Sequence, residues 1–463
     1  MRHPDHTIVL GSKKGSTMRS SWIPCAVVGL WLIPLQVALG WGAPHHTISQ
    51  LVTERLPTWQ RELIKGQTKS YIGRYCLYPD MASAKDAKPY IMPDAGIRLH
   101  IPDTREKNTA IIAFYLPRAV DAFAANDVEQ AMRWFGALTH YLEDSSCPGH
   151  IRYGMTAIPE KGIPTTHLSF VAGLMPMPDE LRAKNLHTVI DGGGFSHAQL
   201  KAAVGDRPPL LLGTSVEELT FALAERHERA LVQAPQHLIP MLTAFAKEDK
   251  VAFGAAGAQA ATLAVNMVSD ALYTAICIAQ KRIDPAEAAR LPPQISLADI
   301  APASGTGFTW NRLNYQGRPL RNASGTLGWA SQPSNLKPQP LKLKLPEGGV
   351  KTFAKGWGVG VLTQYTFLLQ PGVFGTFDVW VGNHAELGIE GVTSYEILLD
   401  GKSVAKTEFM RGDCTAQRLT VELGAARKLT IKTGGEGKSA KIHAVWANPI
   451  LTFARTAAKE PQD

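Results

Sequence analysis

The sequence predicts a multidomain chain with two folds in succession: an all-α helical bundle followed by an all-β sandwich. Three observations predict it. Apolar residues recur at helical spacing from Trp41 to about Ala301. A stretch rich in Ser, Gly, Asn and Pro without a sustained period follows, from about 303 to 340. Beyond it, short β-branched and aromatic runs alternate with Gly-containing turns. The 463 residues, 45% hydrophobic and 19% charged, suit a folded protein and exclude disorder, collagen and a coiled coil.

Residues 1–40 read as a signal peptide, with Met18 as an alternative start. Arg19 precedes the apolar run Ile23 to Leu39, and small residues Ala38 and Gly40 stand where a signal peptidase cuts. A run of about 17 residues broken by Pro24, Pro34 and Gln36 is short for a membrane span, so export to the cell envelope, periplasm or medium is the expectation. Cleavage after Gly40 makes Trp41 the first residue, with a free amine. Of the net charge of +8, three units lie in this leader (Arg2, Lys13, Lys14 and Arg19 against Asp5), leaving no concentrated basic face for duplex DNA.

Within 41–301, Asn126 to Asp144 opens on an Asn-x-x-Glu capping signal (Asn126, Glu129) and carries Ala131, Phe135, Leu138 and Leu142 on one stripe. Thr214 and Glu217 repeat that logic before Leu219 and Leu223. Val251 to Gln280 is apolar and Ala-rich, but Asn266, Asp270 and Gln280 mark a buried bundle helix rather than a membrane span.

The stretch 302–340 reads as a linker and 456–463 as a tail. Between them, over 341–455, Tyr365–Leu369, Thr376–Val381, Tyr395–Leu399, Leu419–Leu423 and Lys428–Lys432 have strand character. Asp400-Gly401 and Gly434-Gly435 are hairpin-type turn signals.

The chemistry lies in the first half. His140 and Asp144 are four apart on one predicted helix, so an imidazole and a carboxylate share a face where both can reach one metal ion. His187 and Asp191 repeat the pair, His150 follows six residues after Asp144, and Asp80 and His100 add further ligand types. Five cysteines without a CxxC exclude a zinc ribbon, so any metal site draws on His and Asp.

Trp41-Gly42-Ala43-Pro44-His45-His46, Asp80, His100, His140-x-x-x-Asp144, His150 and Asn185-Leu186-His187-x-x-x-Asp191 resemble the trinuclear zinc site of the zinc-dependent phospholipase C and single-strand nuclease (nuclease P-one) superfamily, over about Trp41 to Ala301. The resemblance implies three Zn2+ ions. Asp80, His100, His140 and Asp144 would hold the first, His150, His187 and Asp191 the second, and Trp41 with His46 the third, Asp144 bridging the first and third. It implies hydrolysis of a phosphoric ester by metal-activated water, with Asp80 and Asp144 at the reacting centre and Asp80 orienting the water.

His46 is preferred to His45 on the family's spacing from Trp41. The nuclease pattern of Trp-Ala-Asp with an Arg three residues on is replaced by Tyr78-Pro79-Asp80-Met81-Ala82-Ser83, and Gly192 stands where the nucleases have Asn. The last ligand, Asp191 after Asn185-Leu186-His187, is nuclease-like. The favoured expectation is a phospholipase C-like phosphodiesterase acting on a phospholipid. The alternatives are a nuclease acting on single strands, a phosphomonoesterase, and a non-catalytic carbohydrate- or surface-binding protein with a structural metal site.

His167 and His197 read as loop or core histidines, and Gly192-Gly193-Gly194 as a flexible turn. Cys147 reads as structural, or as a disulfide partner of Cys76, Cys277 or Cys414, rather than as a thiolate ligand. In the second half, Lys355-Gly356-Trp357-Gly358-Val359, Phe377-Asp378-Val379, Leu399-Asp400-Gly401-Lys402, Gly434-Gly435-Glu436-Gly437 and His443-Ala444-Val445-Trp446 resemble the NPCBM carbohydrate-binding-type module, with Ile442 in place of the usual Asp. That resemblance implies a jelly-roll-like all-β sandwich and a glycan partner. Trp357, Trp380 and Trp446 are candidate stacking surfaces for a sugar, with a core role expected for at least two of them.

Overall fold

The computed structural model describes residues 41–93, 105–150, 175–182, 184, 186–300, 302–306, 340–360, 363–436 and 443–457. The expected signal peptide, His100, His167 and most of the expected linker and tail lie outside the described residues.

The first part is helical: α1 (Pro44–Arg55), α2 (Thr58–Ile64), α3 (Thr68–Gly73), α4 (Arg105–Ala124), α5 (Val128–Asp144), α6 (Asp179–Arg182), α7 (Leu186–Asp191), α8 (His197–Val204), α9 (Val216–Gln233), α10 (Leu238–Ala246), α11 (Lys250–Ala279) and α12 (Pro285–Ala288). The apolar stripe expected on α5 is buried, with Ala131, Phe135, Leu138 and Leu142 all inaccessible. Its cap sits one residue later than the sequence signal. Asp127 accepts from the Gln130 amide, while Asn126 adopts a positive φ of 59° that ends the preceding turn. On α9 the same shift occurs, Ser215 accepting from the Glu218 amide while the Glu218 carboxylate accepts from Thr214.

The long helix α11 is apolar and long enough to cross a membrane, yet it runs through the bundle core with most of its residues buried. Its Asp270 is fully buried and satisfied: both oxygens accept from Arg207, one accepts from Arg226, and the Leu210 amide donates to it. A buried carboxylate with that many donors avoids the desolvation penalty that a lone one would carry.

The second part is a β-sandwich: β1 (Gln294–Ser296), β2 (Ser304–Thr306), β3 (Leu341–Lys344), β4 (Val350–Phe353), β5 (Gly356–Val359), β6 (Gln364–Leu368), β7 (Phe374–Asn383), β8 (Val392–Leu399), β9 (Lys402–Lys406), β10 (Met410–Arg411), β11 (Gln417–Glu422), β12 (Lys428–Glu436) and β13 (Ala444–Phe453), with the short helix α13 (Ala454–Ala457) behind it. All pairings are antiparallel. One sheet runs β1-β13-β7-β11 with β5 on β13, the other β10-β8-β12-β6-β2 with β9 on β8, and β3 pairs β4. Phe377, Val379 and Trp446 of the first sheet and Phe367, Tyr395 and Ile431 of the second share one core, because alternate residues of each strand face it.

Two local readings change. Asp400-Gly401 does turn β8 into β9, both residues at positive φ, but Gly434 and Gly435 lie inside β12, paired with Ser394 and Thr393. The sandwich also begins before the expected boundary at 301, and the expected linker contributes its first residues to it. β1 pairs β13, and β2 pairs β6. Trp357 and Trp446 are core residues, Trp446 donating to Thr433 Oγ1 at 2.8 Å, and Trp380 is partly buried against Leu341, Leu343 and Phe353.

The two parts interlock. Phe221 of α9 is buried in the sandwich core, edge-on to Phe374 at 4.9 Å, and Arg455 of α13 pairs with Glu218 one turn earlier on α9 at 2.6 Å. Phe221→Ala should therefore cost about 3 kcal/mol of stability, the usual penalty for emptying a buried phenyl site. Urea unfolding measures it, and a loss below about 1 kcal/mol would mean the ring does not fill that core.

Candidate metal centre

The site forms where α5 ends. His140 and Asp144, one turn apart, are both fully buried, with Asp144 Oδ2 3.4 Å from His140 Nε2. The ring is aimed from behind: His140 Nδ1 donates to the carbonyl of Cys76 at 2.9 Å, which leaves Nε2 facing Asp80 Oδ1 at 3.2 Å and Asp144. The Cys76 carbonyl belongs to a one-turn 3-10 segment, Tyr75–Leu77, pressed onto α5 at Gly136. A Cβ there would lie 2.5 Å from Tyr75 Cβ and 2.8 Å from the Tyr75 backbone, so only glycine permits the approach that delivers Asp80.

The third member comes from α1, and it is His45. Its Nε2 lies 3.4 Å from Asp144 Oδ1, its ring stacks on His140 at 4.4 Å, and the three side chains offer ligand atoms within 4.8 Å of one another. Glu143, itself buried, orients it: Oε2 accepts from His45 Nδ1 at 2.5 Å while Oε1 accepts from Ser49 at 3.0 Å. The expected ligand His46 instead points its Nδ1 at the Ile72 carbonyl, 2.6 Å away. The cause is helical phase. His45 shares the buried stripe of α1 with Ile48, Ser49 and Val52 at i+3, i+4 and i+7, and His46 is turned about 100° from it. That stripe was a usable signal in the sequence, as was Glu143 beside Asp144.

Trp41 is completely buried beside this cluster, its indole Nε1 donating to Ser146 Oγ at 2.9 Å and its edge meeting Phe195. That places the start of α1 against the turn that follows Asp144.

A second group lies just beyond that turn. Cys147, His150 and Asp191 also offer ligand atoms within 4.8 Å of one another. His150 Nε2 is 3.9 Å from Asp191 Oδ1, and Cys147 Sγ is 3.3 Å from the same oxygen. His187 lies on α7, four residues before Asp191, but its side chain is outside the described residues. Asp191 is held by the turn that ends α7. Gly193 and Gly194, at φ +60° and +66°, press their carbonyls onto Gly257 and Gly254 of α11, where a Cβ would come within 2.2 and 2.4 Å. This is a packed junction rather than the flexible turn expected.

The four described cysteines, Cys76, Cys147, Cys277 and Cys414, are all free thiols, so the expected disulfide role for Cys147 is not seen among the described residues. His197 opens α8, half-buried, and pairs with Glu54 at 3.1 Å.

The donor set fits a divalent cation. Asp80, Glu143, Asp144 and Asp191 are carboxylates with little or no contact with water, gathered around three imidazoles. Without a cation, the imidazoles must supply the positive charge. Burial pulls the pKa of His45 down, but the carboxylates of Asp144 and Glu143 override it and lift it to about 10. Burial likewise opposes and Asp144 and Asp80 raise the pKa of His140, while burial, with Asp144 nearby, pushes that of Asp191 up. A metal ion would provide that charge and take the neutral imidazoles as ligands.

Comparison with known proteins adds the following. Residues 315–452 match the family model described as NPCBM/NEW2 domain. No curated protein sequence matches the chain significantly. Among solved structures, the CBM51-2 and INT domains from Clostridium perfringens ZmpB are similar over 34% of this chain (20% identity, TM-score 0.26), which spans only 31% of that chain. The CBM51 from Clostridium perfringens GH95, solved in complex with methyl-galactose, is 19% identical over 34% of this chain and 99% of its own, with a TM-score of 0.27. Clostridium perfringens alpha-toxin from avian strain SWCP is similar over 90% of this chain and 97% of its own, at 12% identity and a TM-score of 0.31.

The geometry separates the two adjacent histidines of α1. His45→Ala should lower the divalent metal that the protein retains, and His46→Ala should leave it unchanged. Metal analysis after dialysis decides it, and the reverse pattern would show that the ligand is His46.

Proposed function

We propose that the protein is an exported, zinc-dependent hydrolase of phosphoric ester bonds, acting as a phospholipase C-like phosphodiesterase. One observation carries this reading: the buried Asp144 carboxylate turns one oxygen to His45 and the other to His140, beside Asp80, with a second ligand group one turn further along the chain. A carboxylate placed in that way suits a bridge between two ions. The resemblance supplies the remaining ligands, His100 and His187, and the role of Trp41, whose amine would be freed by cleavage after Gly40.

On this reading Asp80, His140 and Asp144 would hold one ion with His100. His150 and Asp191 would hold another with His187, and Trp41 with His45 the third. Bound zinc supplies Lewis acidity toward a phosphoryl oxygen and a water acidic enough to ionise near neutral pH. The chain does the rest. Cys76 and Glu143 fix the rings of His140 and His45 so that one nitrogen of each faces the site, and Asp80 accepts a hydrogen bond from the attacking water and orients it. No side-chain nucleophile is required.

Export is supported by the charged start, apolar run and small-residue cleavage site of residues 1–40. The NPCBM/NEW2 match supports a glycan-binding role for the sandwich. With Trp357 and Trp446 buried in the core, that role would fall to other residues.

The test is hydrolysis of phosphatidylcholine and of single-stranded DNA, side by side, by the purified zinc-loaded protein. Diacylglycerol release is expected, abolished by a chelator and restored by zinc. Asp144→Asn should lower the rate at least about 100-fold, since it weakens two sites at once. Nucleotide release in its place would make the protein a nuclease, and turnover unaffected by chelation would overturn the metal mechanism.

A further inference from the structure

The second ligand group contains a residue type that the His-and-Asp reading leaves out. Cys147 is fully buried and free, and its sulfur lies 3.3 Å from Asp191 Oδ1, the same oxygen that His150 Nε2 approaches at 3.9 Å. The backbone explains the convergence. Beyond α5 the chain continues in tight turns, the Cys147 amide donating to the Asp144 carbonyl at 2.9 Å and the His150 amide to the Cys147 carbonyl at 3.0 Å. Turns of three residues bring every third side chain to the same edge, so Asp144, Cys147 and His150 line up in one row.

The other described cysteines have no such surroundings. Cys76 Sγ donates to the Ile72 carbonyl, Cys277 Sγ accepts from Gln60, and Cys414 is exposed on the sandwich. Among the four, only Cys147 joins an imidazole and a carboxylate in a set whose ligand atoms converge within 4.8 Å.

We propose that Cys147 is a thiolate ligand of the second zinc ion, alongside His150 and Asp191. This rests on the metal-dependent reading above. Binding replaces the S–H bond by a zinc–sulfur bond and releases the thiol proton to solvent. A thiolate suits borderline-soft zinc better than the harder magnesium or calcium, so it also narrows the choice of metal at this position.

Zinc X-ray absorption on the purified zinc-loaded protein tests the assignment without relying on activity. A sulfur shell at about 2.3 Å is expected beside nitrogen and oxygen at about 2.0–2.1 Å, with an amplitude of one sulfur per chain. The shell should vanish in Cys147→Ser, a near-isosteric change, and remain in Cys76→Ser. Zinc bound by the wild-type protein with no sulfur shell would overturn the thiolate and leave the metal site standing. A shell that survives Cys147→Ser would reject Cys147 as its source. No bound zinc at all would overturn the metal-dependent reading itself and the thiolate with it. Should the Cys147 variant fail to fold, the wild-type spectrum still detects or rejects a sulfur ligand, and retention of the shell in Cys76→Ser excludes the other buried thiol near the centre.

Discussion

Everything at the candidate centre depends on burying several carboxylates at the end of one helix without leaving their charge uncompensated. Asp144 sits at the C-terminus of α5, where the helix dipole is itself negative and adds to the cost of the carboxylate. The chain meets that cost with imidazoles on either side, each locked by a partner behind it: Glu143 for His45, and the Cys76 carbonyl for His140. Such backing fixes which ring nitrogen faces the centre, and a cation would then find its donors already in place.

Close backbone approach is what brings the distant ligands in. Asp80 and Asp191 are far from α5 in the chain, and each arrives through a contact that a single Cβ would block. Gly136 admits the 3-10 segment before Asp80, and Gly254 and Gly257 admit the turn after Asp191. Two of these glycines lie on α11 and one on α5, where glycine costs roughly 1 kcal/mol of helix stability relative to alanine. The cost is offset by the positions they give to two carboxylates.

The β-sandwich is coupled to this centre through α9. That helix sends Phe221 into the sandwich core and pairs Glu218 with Arg455, while two turns further on His227 contacts the Tyr141 carbonyl of α5 and Glu228 accepts from Asn108 of α4. β1 and β2, which precede the residues matched by the NPCBM/NEW2 domain, pair with β13 and β6. A cut at the composition change would therefore pass through the sandwich rather than between two independent modules.

The sequence by itself determined the class of each half, the positions of α5 and α11 and the main strands, and the pairing of His140 with Asp144. These follow from local periodicity and from ligand spacing within one helix, which neighbouring residues fix. It also carried the phase of α1, where the stripe His45, Ile48, Ser49 and Val52 names the inward histidine, although spacing from Trp41 pointed to His46. Tertiary structure alone decided the rest: that Glu143 backs His45, that Gly434-Gly435 is strand rather than turn, that the sandwich reaches back to Gln294, and that Cys147 meets Asp191 across 44 residues. Contacts between segments far apart in the chain leave no periodic trace, because they are set by how packed surfaces meet rather than by the local conformation of either segment.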